Sequence, residues 1–172
     1  MMGPLVRRTW APRGETPVIK VTTPHERISA IGAMTIRRSG VRLGFHFELL
    51  PDNANFTGPL VARFLDHLWR NLCGPITLIW DEIRIHHAQP VRDWLSRHSS
   101  VEVEQLPPYA PELNPVDCVW SYVKYGRLAN YCPHDTAELR ERVTAELTRV
   151  SKRPRLLRSL FLRTGLTLDA IE

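Results

Sequence analysis

Cysteine is scarce in this chain: Cys73, Cys118 and Cys132 are the only three in 172 residues. Three is odd, and their spacing suits no metal. A disulfide framework is therefore excluded and a reduced compartment indicated. Long apolar runs are absent, as is a signal-peptide pattern at the start. The sequence thus reads as a cytoplasmic protein with no membrane partner. Internal repeats, low-complexity tracts and a composition break marking a second domain are also missing. The first acidic residue is Glu15, so the opening residues carry no carboxylate. Over the whole chain 23 Lys and Arg outnumber 18 Asp and Glu, and the net charge of +5 favours a polyanionic partner. With 43% hydrophobic and 24% charged residues, the chain has an ordinary globular composition. Its length suits one domain, residues 1–172, with a proper core.

The most informative stretch that is present is Leu106–Lys124, LPPYAPELNPVDCVWSYVK. Pro107, Pro108 and Pro111 lock φ and leave the loop few conformations to lose. Asn114 suits an N-cap and Pro115 a first helical position. Asp117 then falls in the first turn, near the positive end of the helix dipole. Upstream, the apolar run Ile76–Trp80 reads as a strand buried on both faces that ends on Asp81. An acid at a strand end and another at a helix start can meet at one edge of a sheet. That geometry suits divalent metal ions and phosphoryl transfer.

Periodicity supplies the rest. Arg27–Arg37 and Val41–Leu49 read as antiparallel strands joined at Ser39-Gly40, with Leu43, Phe45, Phe47 and Leu49 on one face and His46 and Glu48 opposite. Leu60–Leu72 and Pro90–Arg97 show helical spacing, and Val101–Gln105 reads as a strand parallel to Ile76–Trp80. In the helix that carries Asp117, Val116, Val119, Trp120 and Val123 form the buried stripe, Asp117, Ser121 and Lys124 lie on a neighbouring face, and Gly126 is the expected stop. A helix starting at Asp135 or Thr136 uses Leu139, Val143, Leu147 and Val150, and Ser151–Arg163 reads as a basic amphipathic helix.

The phrases WDEIRIHHA and LPPYAPELNPVDCVWSYVK, with RRTWAPRGETP near the start and FLRTGL near the end, resemble the catalytic domain of mariner-like transposases, in particular the bacterial insertion-sequence branch. The resemblance implies an RNase H-like α/β fold and DNA cleavage with strand transfer at two Mg²⁺ or Mn²⁺ ions held by three acids. Asp81 matches the second acid and would bridge the metals. Asp117 matches the third, His86 a histidine common after the second. Position 82 is Glu where the family more often has Asn, and 117 is Asp where the bacterial branch more often has Glu. The resemblance implies a mixed sheet with flanking helices whose central strand carries the first acid just before the RRTWAPRG phrase; here only Met1–Val6 precede that phrase, so the central strand is expected to be shortened or missing.

These readings have ordinary alternatives. Asp81 also fits a helix N-cap or turn, and Asn114-x-x-Asp117 also fits a capping box in which the acid bonds back to the cap amide. Lys124, Arg127 and His86 are the candidate nucleic-acid contacts. The expected partners are transposon-end and target DNA, a homodimer mate, and an upstream-frame segment carrying the first acid. The two-metal site of this chain alone is expected to be incomplete and the chain inactive. The competing readings are an inert nucleic-acid-binding remnant, and a nuclease whose first acid is internal, with Glu48 as the candidate.

Overall fold

The structure is a computed structural model, and it describes residues 7, 8, 10–16, 18, 27–37, 42–51, 53–108 and 110–168. Two small sheets carry the architecture. β1 (Ala30–Arg37) pairs antiparallel with β2 (Arg42–Leu49), in a register running from Ala30 opposite Leu49 to Arg37 opposite Arg42. The turn assigned to Ser39-Gly40 lies outside the described residues. β1 begins three residues later than expected, because Arg27 and Ser29 are drawn off to the loop after β2. The Arg27 amide donates to Asn53 Oδ1 at 3.1 Å, and Ser29 Oγ donates to the Ala54 carbonyl at 2.6 Å.

α1 (Gly58–Leu72) leads into β3 (Ile76–Trp80), and α2 (Gln89–Arg97) into β4 (Val101–Gln105). β3 and β4 pair in parallel, Ile76 with Val101 through Trp80 with Gln105. Both helices start earlier than their apolar stripes, since Pro59 and Pro90 sit in first turns, where a missing N–H costs nothing. The expectation that β3 is buried on both faces is not met. Ile76, Leu78 and Trp80 are half-buried, whereas Thr77 and Ile79 are exposed. The reason is that α1 and α2 cover one face only: Val61, Leu65, Val91 and Trp94 pack with Leu78, Trp80 and Val101. Among the described residues no strand joins the two sheets, and the central position expected for Met1–Val6 lies outside them.

Between Pro115 and Leu162 the described chain is mainly helical. α3 (Pro115–Ser121) runs directly into a π-helical segment, Tyr122–Arg127, so Gly126 does not stop it. The Leu128 amide donates to the Val123 carbonyl at 2.9 Å, an i→i+5 bond that closes the wide turn. α4 (Thr136–Ser151) is capped by Asp135, whose carboxylate accepts from the Glu138 amide. Pro154 then starts α5 (Pro154–Leu162) as a separate helix. The larger core joins Leu43 and Phe45 of β2 to Val119 and Val123, to Leu147 and Val150 of α4, and to Leu157, Leu160 and Phe161 of α5. At about 1.5–3 kcal/mol for each such side chain buried, this cluster is what holds α3 against the β1–β2 hairpin. Gly32 sets how closely they approach. A Cβ there would stand 2.8 Å from Trp120 Cζ2 and 3.0 Å from Phe45 Cζ.

Candidate active site

Asp81 follows the last residue of β3, and its position is fixed from both sides. The Leu106 amide, just beyond β4, donates to the Trp80 carbonyl at 2.8 Å. His86 Nδ1 lies 2.9 Å from the Asp81 main-chain oxygen. The chain between them turns through a short 3-10 helix, Arg84–His87, whose N-cap is Ile83. Asp81 is therefore not a helix cap, one of its two ordinary alternatives. Its Oδ1 is buried and accepts no hydrogen bond among the described residues. His86 Nδ1 is 3.3 Å from that oxygen, but one N–H cannot serve two acceptors well, and the shorter contact goes to the main chain.

Asp117 is carried by the first turn of α3. Asn114 caps that helix, its Oδ1 accepting from the Val116 amide at 3.0 Å, and Pro115 opens it. The Asn114 amide, which a capping box would give to Asp117, instead donates to the Pro111 carbonyl at 3.1 Å. The Asp117 carboxylate is thus left over from capping and exposed on one side. Partial burial, and then the charge of Asp81, push its pKa up from the ordinary value. The second cause places the two acids in one electrostatic neighbourhood, although they come from different elements. An orphaned carboxylate oxygen beside a carboxylate repelled by its neighbour is a pair short of positive charge. A hard divalent cation fits it: oxygen donors, two negative charges and access from solvent.

The other expected site residues are placed as follows. His86 sits at Asp81 with its side chain only 13% exposed, against 48% for Asp81. Its ring lies flat on Trp80, centroids 4.2 Å apart and planes 8° apart. Lys124 is exposed, its Nζ 5.4 Å from the Tyr125 ring centroid. The face expected to carry Asp117, Ser121 and Lys124 presumed a continuous α-helix, and the π segment from Tyr122 re-phases it. Arg127 ends that segment on a carboxylate, with Nε 2.9 Å from Glu146 Oε2. Glu48 pairs with Arg63 of α1. Sequence reasoning missed Trp80, Glu146 and the π turn. A signal existed for Glu146 alone, an acid on the buried stripe of α4 between Val143 and Val150 with arginines at 142 and 149. Nothing local announces a π turn.

A family model described as DDE superfamily endonuclease matches residues 2–140, and the chain belongs to that family. No curated protein matches it. Among solved structures it is similar to the Mos1 transposase paired-end complex with the left transposon end (18% identity, TM-score 0.63), covering 95% of this chain and 50% of that one. It is also similar to the Mos1 strand transfer complex (16% identity, TM-score 0.55), covering 98% of this chain and 52% of that one. The Mos1 catalytic domain with raltegravir and Mn is a further match (17% identity, TM-score 0.57), covering 80% of this chain and 78% of that one. The chain thus spans about half the length of the Mos1 chains in the first two. The shared fold is the RNase H-like α/β fold of the Mos1 catalytic domain.

Proposed function

We propose that this chain is the catalytic part of a DNA transposase, in which Asp81 and Asp117 hold divalent metal for cleavage of a DNA phosphodiester and transfer of the freed 3′-OH to target DNA. The observation that carries this reading is the Asp81–Asp117 pair: two acids brought together by β3 and α3, neither used for capping, one with an orphaned buried oxygen. Bound Mg²⁺ or Mn²⁺ would supply Lewis-acid stabilisation of the phosphate and activation of the attacking oxygen. The work of the chain's own residues is positional. Asn114 and Pro115 aim Asp117, and the β3–β4 pairing with the His86 contact aims Asp81. Lys124, exposed on the segment that follows Asp117, is the cation offered to the DNA backbone.

No group of three metal-competent side chains occurs among the described residues, so a third acid from a further polypeptide segment belongs to the proposal, as do a homodimer and cytoplasmic residence. Retention of both acids in one place argues against the inert-remnant reading. Electron paramagnetic resonance of Mn²⁺ titrated with the chain tests the site. Binding is expected, weakened at least about tenfold by Asp81→Asn or Asp117→Asn and unchanged by Glu48→Gln. Equal binding by all four proteins would remove the site.

A further inference from the structure

The environment of His86 is more specific than a DNA contact requires. Its Nδ1 faces two oxygens of Asp81, the main-chain carbonyl at 2.9 Å and the carboxylate Oδ1 at 3.3 Å. Both are acceptors only, so Nδ1 must carry the hydrogen. That is the tautomer free imidazole favours less, and here two further contacts hold the ring for it. The ring is stacked on Trp80, and the His86 amide donates to the Ile83 carbonyl at 3.0 Å. The side chain thereby bridges the strand end back to the 3-10 turn, with Asp81 enclosed in the loop between.

We infer that His86 is a positioning residue for Asp81: its Nδ1–H, given to the Asp81 main-chain oxygen from a ring stacked on Trp80, holds the half-exposed carboxylate at the end of β3 without tying up either of its oxygens in a hydrogen bond. This rests on the proposed role of Asp81 as a metal ligand. The physical logic is economy of donors. Were Nδ1–H given to Oδ1, that oxygen would have a protein partner and a metal would have to displace it. Given to the main chain, the same hydrogen fixes the residue without occupying its carboxylate. Partners of this kind, one step removed from a metal, orient the ligand and raise affinity.

Three variants separate the donor from the ring. His86→Phe keeps a ring on Trp80 and loses the donor. His86→Asn places an amide N–H where Nδ1 is and loses the ring, whereas His86→Gln places it near Nε2. In long-range ¹H–¹⁵N spectra of the wild-type chain, at a pH where the ring is neutral, the Nδ1–H tautomer is expected. The Asp81 carbonyl ¹³C resonance should move in His86→Phe and His86→Gln and return toward wild type in His86→Asn. Mn²⁺ affinity should follow it, falling about tenfold in the first two and staying within about threefold in the third. An Nε2–H ring, wild-type Mn²⁺ affinity in His86→Phe, or an Asn variant no better than Phe would each overturn the inference. If the wild-type chain binds no Mn²⁺, the proposed metal site fails, and the tautomer and the Asp81 carbonyl shift still decide whether His86 positions that residue.

Discussion

Replacing Glu146 by alanine leaves three guanidiniums around a carboxylate that is gone. Glu146 is 1% exposed, and Arg127 Nε at 2.9 Å, Arg149 Nη1 at 3.3 Å and Arg142 Nη2 at 3.4 Å surround it. Removing one partner of a fully buried ion pair costs about 3–5 kcal/mol. Here the arginine side chains are 36%, 43% and 47% exposed, so they rehydrate when the acid is lost. That discount lowers the expected loss to about 2 kcal/mol. For a chain of this length the corresponding fall in Tm is about 4–8 °C. Circular dichroism melting at neutral pH measures it. The pH dependence supplies a second check. The hydrogen bond from Arg127, and then the charges of Arg127, Arg149 and Arg142, outweigh burial and hold the Glu146 carboxyl below its ordinary pKa. A depressed folded-state pKa gives stability that is present above the ordinary carboxylate value and lost as pH falls through the folded one. The Tm gap between wild type and Glu146→Gln should therefore be widest near neutrality and close in acid. An unchanged Tm in Glu146→Ala, or a gap that persists in acid, would refute the account.

Asp117→Asn should have the opposite sign. Its folded-state pKa is raised by burial and by Asp81, so stability falls as pH rises from the ordinary carboxylate value through the raised one, and the full cost is present above it. Because Asp117 is exposed on one side, the gain from Asn is discounted to under about 1 kcal/mol, or about 1–3 °C in Tm at neutral pH, vanishing in acid. A neutral-pH melt showing no rise would count against repulsion between the two acids. Gly32→Ala should lose about 1–3 kcal/mol by overpacking, read from urea unfolding, because the added Cβ meets Trp120 at 2.8 Å. A gain, as expected for Gly→Ala in an unobstructed strand, would show that the Trp120 ring yields. Plasmid nicking in Mn²⁺ by the 172-residue polypeptide alone is expected to be absent, since the described residues bring only two carboxylates together. Nicking abolished by Asp117→Ala would show that a third acid, Glu48 first among the candidates, completes the site.

Local rules carried far in this chain wherever a residue's role depends on its own neighbours. β3 and β4 match the expected strands Ile76–Trp80 and Val101–Gln105 residue for residue. The Asn114 cap, the Pro115 start and the Asp135 cap follow from backbone groups that every helix leaves unpaired. The positions of Asp81 and Asp117 were legible for the same reason, one at a strand end and one in a first helical turn. Their departure from the ordinary roles was not. Only the folded chain shows the Asn114 amide going to Pro111 and the 3-10 turn starting at Ile83, which leaves both acids uncommitted.

What the tertiary structure decided is how groups far apart in sequence meet. β3 reads as buried on both faces because its residues are apolar, yet which face is covered depends on where α1 and α2 pack. Arg127 reads as a free cation because its partner lies on another helix, nineteen residues away. The π turn likewise links groups distant in sequence, with Val123 in the core shared with α4 and α5 and Arg127 paired with Glu146. Periodicity encodes which side chains avoid water, because burial of apolar surface is non-directional and repeats with the backbone. Hydrogen bonds and ion pairs are directional and few, and their partners are chosen only when the chain has closed on itself.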